Sequence, residues 1–92
     1  MMISSYKKLA TGLATFQAGN GHDKHYHPNA EEVIYVVRGQ SQQGLKDQIF
    51  EMEAGDSIHI PKGAIHWTKN AGKGELEILV VFSSPMPETV DL

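Results

Sequence analysis

Cysteine is absent from the 92 residues of this chain. Disulfides are therefore excluded, and any metal chemistry must run through nitrogen and oxygen rather than thiolate. Long hydrophobic runs are missing too: nothing approaches the roughly 20 apolar residues of a membrane-spanning helix. The opening Met1-Met2-Ile3-Ser4-Ser5-Tyr6-Lys7-Lys8 has no apolar core of signal-peptide length. These absences set the expectation of a cytoplasmic, soluble protein with no membrane role. Positive charge is also scarce. Eight Lys and Arg against eleven Asp and Glu leave a net charge of −3, and Lys7-Lys8 is the only adjacent basic pair, which argues against nucleic acid as a partner. Repeats, low-complexity tracts and linkers are lacking. One domain over residues 1–92 is expected, burying only about 60–65% of the surface of its unfolded chain. A bound metal or a second subunit would help so small a core.

What is present is a series of short strands punctuated by glycines. Val33 to Arg38 is β-branched and aromatic, the composition of a strand. It is apolar on both faces, with Val33, Tyr35 and Val37 on one and Ile34 and Val36 on the other. Both faces need cover that one small core cannot supply, so a homodimer with packed sheets is expected. Leu13 to Ala18 reads as an earlier strand. Gln48 to Glu53 follows a Lys46-Asp47 turn as the return strand of a hairpin. Ser57 to Ile60 is a short strand, and Ile60-Pro61-Lys62-Gly63 suits a type I turn that sends His66 back along a strand starting near Ile65. Leu76, Ile78, Val80 and Phe82 alternate along the last clear strand, and Ser83 to Leu92 reads as a tail or an edge segment. Many short strands with frequent turn signals predict an all-β sandwich or barrel.

The chemistry concentrates in histidine. His25 and His27 stand two apart, so on a strand both point to one face, with Cα atoms roughly 6.5 Å apart. Glu32 lies far enough on for the chain to bend and return, and His66 would arrive from another strand. Three neutral imidazoles and a carboxylate suit a borderline divalent cation. His22 is expected to face water. His59 is left between the surface and a place behind the pocket. Asn70 is expected to cap a turn, and Tyr26, Tyr35, Trp67, Phe16 and Phe82 to serve core or subunit contacts, one or two of them at a pocket mouth.

Spacing makes the reading specific. Gly19, five residues, His25, one residue, His27, four residues, Glu32, six residues and Gly39 form one pattern. Gly55, five residues, Pro61, one residue, Gly63, two residues, His66, three residues and Asn70 form a second. In both, the chain resembles the cupin superfamily, over about residues 12 to 84, with 1–11 an N-terminal segment and 85–92 a C-terminal tail. The resemblance implies a double-stranded β-helix, or jelly roll, in a single domain. It implies the ligand set His25, His27, Glu32 and His66 around one divalent transition metal (Fe, Mn, Ni, Zn, Cu or Co). Glu31 competes with Glu32 for the carboxylate role, but only Glu32 also keeps the six-residue gap to Gly39. Two functions follow as expectations. One is a metal-dependent, dioxygenase- or isomerase-like enzyme acting on a small molecule with two coordinating oxygens. The other is a non-catalytic module that binds or senses a metal or metabolite.

Overall fold

The computed structural model describes residues 2–92, and every regular element among them is a β-strand. In chain order these are β1 (Met2–Tyr6), β2 (Leu9–Phe16), β3 (Gly21–Tyr26), β4 (Glu32–Arg38), β5 (Gln40–Leu45), β6 (Gln48–Glu53), β7 (Ser57–Ile60), β8 (His66–Asn70), β9 (Leu76–Phe82) and β10 (Val90–Asp91). They form two five-stranded antiparallel sheets, ordered β1-β2-β9-β4-β7 and β10-β3-β8-β5-β6. This is the expected jelly roll. The chain alternates between the two sheets, so residues distant in sequence meet in the space between them.

The turns follow the glycines. Gly19, Gly39, Gly55 and Gly63 all take positive φ, between 79° and 95°, a region that costs a side chain with Cβ. Gly39 is doubly required, because a Cβ there would lie 2.6 Å from the Glu75 carbonyl oxygen. It lets the chain leave β4 in the first sheet and enter β5 in the second.

The two inner faces differ in chemistry. The first sheet contributes Ala10, Ala14, Ile34, Val36, Leu76, Ile78, Val80 and Phe82 to the buried core. The second contributes mostly polar groups, His25, Ser41, Gln43, His66, Thr68 and Asn70, all at most 4% exposed. Buried polar groups persist only where hydrogen bonds or a ligand satisfy them. Asn70 shows the first solution. Its amide donates to the carbonyls of Phe16 and Gly74 and accepts from the Gly72 N–H, closing the turn after β8 as expected.

One expectation needs correction. The strand placed at Leu13 to Ala18 begins at Leu9 and ends at Phe16. Its inward residues are Ala10, Gly12 and Ala14, while Leu9 and Leu13 point outward. Small residues inside and large ones outside invert the usual hydrophobic signal. On β4 the core of one chain covers only the Ile34 and Val36 face, and Val33, Tyr35 and Val37 on the other are 39–40% exposed.

Candidate metal centre

Four residues from three elements and one loop converge between the sheets. His25 lies on β3 and pairs directly with His66, which opens β8. His27 follows β3 by one residue, and Glu32 opens β4. One ligand atom from each of the four lies within 4.8 Å of all the others. All four are buried, at 1–5% exposure. Alternation along β4 leaves Glu31 outside, where its carboxylate meets His59 Nε2 at 2.7 Å. That contact settles His59 as a surface residue and Glu32 as the carboxylate inside.

The three imidazoles are oriented alike. His25 Nδ1 donates to the Asp23 carbonyl at 2.6 Å, His27 Nδ1 to the Glu88 carbonyl at 2.9 Å, and His66 Nδ1 to the Ala64 carbonyl at 2.9 Å. A carbonyl oxygen can only accept, so each ring must carry its proton on Nδ1. Each Nε2 is then a lone pair, the arrangement that outer partners impose on metal-ligating histidines.

Those lone pairs face a carboxylate. Glu32 Oε1 lies 3.0 Å from His66 Nε2 and 3.2 Å from His27 Nε2. With both rings neutral and their protons on Nδ1, these contacts put acceptor against acceptor, and all three atoms are buried without a hydrogen-bond partner. Such a cluster is costly unless a proton or a cation enters it. The spacing suits a cation: bonds of about 2.1 Å to one ion place neighbouring ligands roughly 3.0–3.4 Å apart. The donor set therefore suits one divalent metal ion.

The electrostatics agree. Burial presses the His25 pKa down to about 4, opposed by its bond to the Asp23 carbonyl and aided by the charges of His66, His22 and His27. That ring is neutral, and ready to ligate, near pH 7. Burial also disfavours charge on His27, but its bonds to Glu32 and the Glu88 carbonyl, with the Glu32 charge, outweigh burial and raise its pKa. Burial alone would raise the Glu32 pKa, yet bonding to His27 and His66 and their charges hold it below the ordinary carboxylate value. The pair thus favours a positive charge between His27 and Glu32, which a proton or a bound cation would supply.

The centre opens into a cavity of about 600 Å³. Leu13, Ala14, Phe16, Ile34, Ile78, Val80 and Phe82 form its apolar wall, and Thr15, His22, Thr68, Pro87 and Thr89 complete it with the four converging residues. Among the described residues, no lysine or arginine lines it.

Two contributions were not legible in the sequence. His22, expected to face water, is exposed, but its ring lies 4.2 Å from that of His25 and lines the cavity. Three residues apart on a regular strand, the two would face opposite ways. The register between β3 and β8 shifts between His22 and His25, which returns both to one side. The irregularity leaves no composition signal. The second is the C-terminal segment, whose β10 pairs with Tyr26 and His25. Asn29 fastens this segment, its Nδ2 donating to the Met86 carbonyl and its Oδ1 accepting from the Glu88 N–H. The Glu88 carbonyl is thereby set against His27. Asn29→Ala is expected to weaken metal binding about 10-fold, the lower end for loss of an outer partner, in a competitive titration against a chelator. Unchanged affinity would show that the segment is not needed to orient His27.

Comparison with known proteins covers the same region. Residues 12–82 match a family model described as Cupin domain. The chain is 30% identical to germin-like protein subfamily 2 member 2 of Arabidopsis thaliana, over 98% of the chain and 44% of that protein. It is 32% identical to polyketide synthase CurC of Streptomyces cyaneus, over 84% of the chain and 50% of that protein. Oxalate decarboxylase of Bacillus subtilis, in a structure concerned with its Mn(II) centres, superposes with a TM-score of 0.92 at 26% identity, over 98% of this chain and 27% of that one. The chain thus spans about half the length, or less, of these proteins.

Proposed function

The chain belongs to the cupin family, and on that premise we propose that it is a metal-dependent enzyme acting on a small, largely apolar molecule that offers two neighbouring oxygens. One observation carries the reading. Three Nε2 lone pairs and a buried carboxylate oxygen meet at the floor of a cavity whose remaining wall is mostly hydrocarbon. A divalent ion bound there supplies Lewis acidity and a template for oxygen ligands. The chain's own residues fix the imidazoles through backbone carbonyls, exclude water with Phe16, Ile34, Ile78, Val80 and Phe82, and leave one open side for the substrate.

Charge narrows the substrate class. A dianion such as oxalate would put its negative charge beside Glu32, against a wall without lysine or arginine among the described residues. Burying such a charge unpaired is unfavourable. A neutral body such as an enediol, a diketone or a catechol-like ring fits the wall better. The test is to purify the protein without added metal or a histidine tag and measure its metal by elemental analysis. The protein is then loaded in turn with Fe, Mn, Ni, Cu and Co and assayed for turnover and oxygen consumption on that panel. Turnover of a neutral chelating substrate is expected. Metal and ligand binding with no turnover anywhere on the panel would overturn the enzymatic reading in favour of a binding module. One feature favours that second reading: Glu32 is the sole carboxylic acid among the described lining residues, and no lysine or tyrosine joins it as a proton carrier.

The outer face of the first sheet supports a homodimer. Leu13, Leu79 and Tyr35 lie in one row across β2, β9 and β4, and Thr11, Val81 and Val33 in the next. Leu9 and Leu13 are 52% and 48% exposed. A contiguous apolar sheet face of this kind marks an interaction surface. Light scattering at micromolar concentration is expected to give a dimer, and Tyr35→Glu to give a monomer with unchanged metal content. A wild-type monomer would remove the proposal.

A further inference from the structure

Among the polar groups facing the cavity, Thr68 has its hydrogen-bonding polarity set by its neighbours. It lies on β8 two residues beyond His66, so both side chains point to the same face. It lines the cavity and is 4% exposed. Directly across the sheet, on β5, stands Gln43, which is fully buried. Gln43 Nε2 donates to the Gly44 carbonyl at 3.0 Å. Since that carbonyl can only accept, the amide nitrogen must lie on its side and the amide oxygen toward Thr68. The Thr68 hydroxyl then has one partner for its proton, Gln43 Oε1 at 2.6 Å. A threonine hydroxyl carries one proton and two lone pairs. With the proton committed to Gln43, lone pairs are all that Thr68 has left to offer.

We propose that Thr68 selects ligands carrying a hydroxyl or N–H donor, beyond the two oxygens that face the metal centre. Outside the four converging residues the other polar side chains on the cavity are Thr15, His22 and Thr89, all exposed, whereas Thr68 is buried and has its proton held by an amide oxygen. The ligand class becomes an apolar ring or chain with a chelating oxygen pair and a separate donor, distinguished from the analogue in which that donor is methylated or missing. A hydroxyl-bearing ligand gains a hydrogen bond here, and its methyl ether loses that bond and leaves an acceptor unpaired. Gln43 acts through Thr68 and is a positioning residue.

The inference rests on the reading of the centre as a metal site that takes chelating oxygens, and the experiment separates the two. Catechol, its 3-hydroxy and 4-hydroxy derivatives and the corresponding methyl ethers are titrated, under exclusion of oxygen, into metal-loaded protein by calorimetry. At least one hydroxy derivative is expected to bind about 10-fold more tightly than its methyl ether, the effect of one good hydrogen bond. Thr68→Val should abolish that preference while leaving metal content and catechol affinity within about two-fold, and Thr68→Ser should restore it. Should Thr68→Val alone fold poorly because Gln43 loses its partner, Thr68→Val with Gln43→Met removes both polar groups and serves in its place. Catechol binding with no preference for any hydroxy derivative, or a preference that survives Thr68→Val, overturns this inference and leaves the metal reading intact. Failure of every probe to bind overturns both.

Discussion

Glu32→Gln is expected to raise the melting temperature of the metal-free protein while removing most of its affinity for metal. In the wild type at alkaline pH, where His27 is neutral, Glu32 Oε1 faces two imidazole lone pairs at 3.0 and 3.2 Å. A glutamine amide in the same place carries two N–H donors, one for each ring, and converts two repulsive contacts into hydrogen bonds. Relieving buried unsatisfied acceptors is worth about 1–3 kcal/mol. For a domain of this size each 1 kcal/mol shifts the melting temperature by about 4–8 °C, so a rise of about 10 °C is expected. The gain should be largest at alkaline pH. There His27 has lost the proton that bridges it to Glu32 in the wild type. Metal affinity should fall by more than the 10–100-fold typical of an outer partner, because a charged ligand is lost. Calorimetry of chelated and metal-loaded samples at pH 7 and pH 9 checks both halves. A metal-free Glu32→Gln protein less stable than wild type at pH 9 would show that the acceptors are not in conflict.

Metal removal is expected to have the second large effect. An ion present at 1,000 times its dissociation constant contributes about 4.1 kcal/mol to a folded state that alone binds it, or about 15–30 °C in melting temperature. Chelation should therefore lower the transition by that amount, and His66→Ala should be insensitive to chelator. The pH dependence carries a sign. The His27 pKa is raised in the fold, so its contribution is fully present below the unfolded value near 6.5 and is lost as pH rises through the folded value. His25 is depressed to about 4, so stability falls as pH drops from about 6.5 toward 4, where the unfolded ring takes up a proton and the folded one does not. Glu32, depressed in its turn, withdraws stability on further acidification. The metal-free protein should thus be most stable near the ordinary histidine pKa and weaken on both sides. The metal-loaded protein should not weaken on the alkaline side, because the ion replaces the His27 proton. A melting profile in which metal-free and metal-loaded protein respond to alkali in the same way would contradict the shared-proton account.

The two predictions share one cause. In the cluster the outer ring nitrogens are satisfied by carbonyls of Asp23, Ala64 and Glu88, while the inner atoms His27 Nε2, His66 Nε2 and Glu32 Oε1 have no hydrogen-bond partner, a donor set that suits a cation. The apolar outer sheet face is a separate liability, with no bearing on the ligand geometry.

Much was readable before any coordinates. Strands β6 and β7 have the expected bounds, because Lys46-Asp47 and the glycine turns punctuate the chain locally. That His25 and His27 share a face was legible from period-2 alternation, and the full set with Glu32 and His66 was what the cupin resemblance implied. Asn70 and the motif glycines were legible for the same local reason. Strand β2 was misplaced because its inward positions hold Ala10, Gly12 and Ala14, which carry little hydrophobic signal. What composition and spacing determined, then, was an all-β chain with one imidazole–carboxylate cluster. Only the tertiary structure decided that His22 joins the cavity, that residues 86–91 brace His27, that His59 stays outside with Glu31, and that Gln43 dictates the polarity of Thr68. Each of these depends on a register shift or a contact between segments distant in the chain, and alternation along one strand carries no information about where another strand will lie.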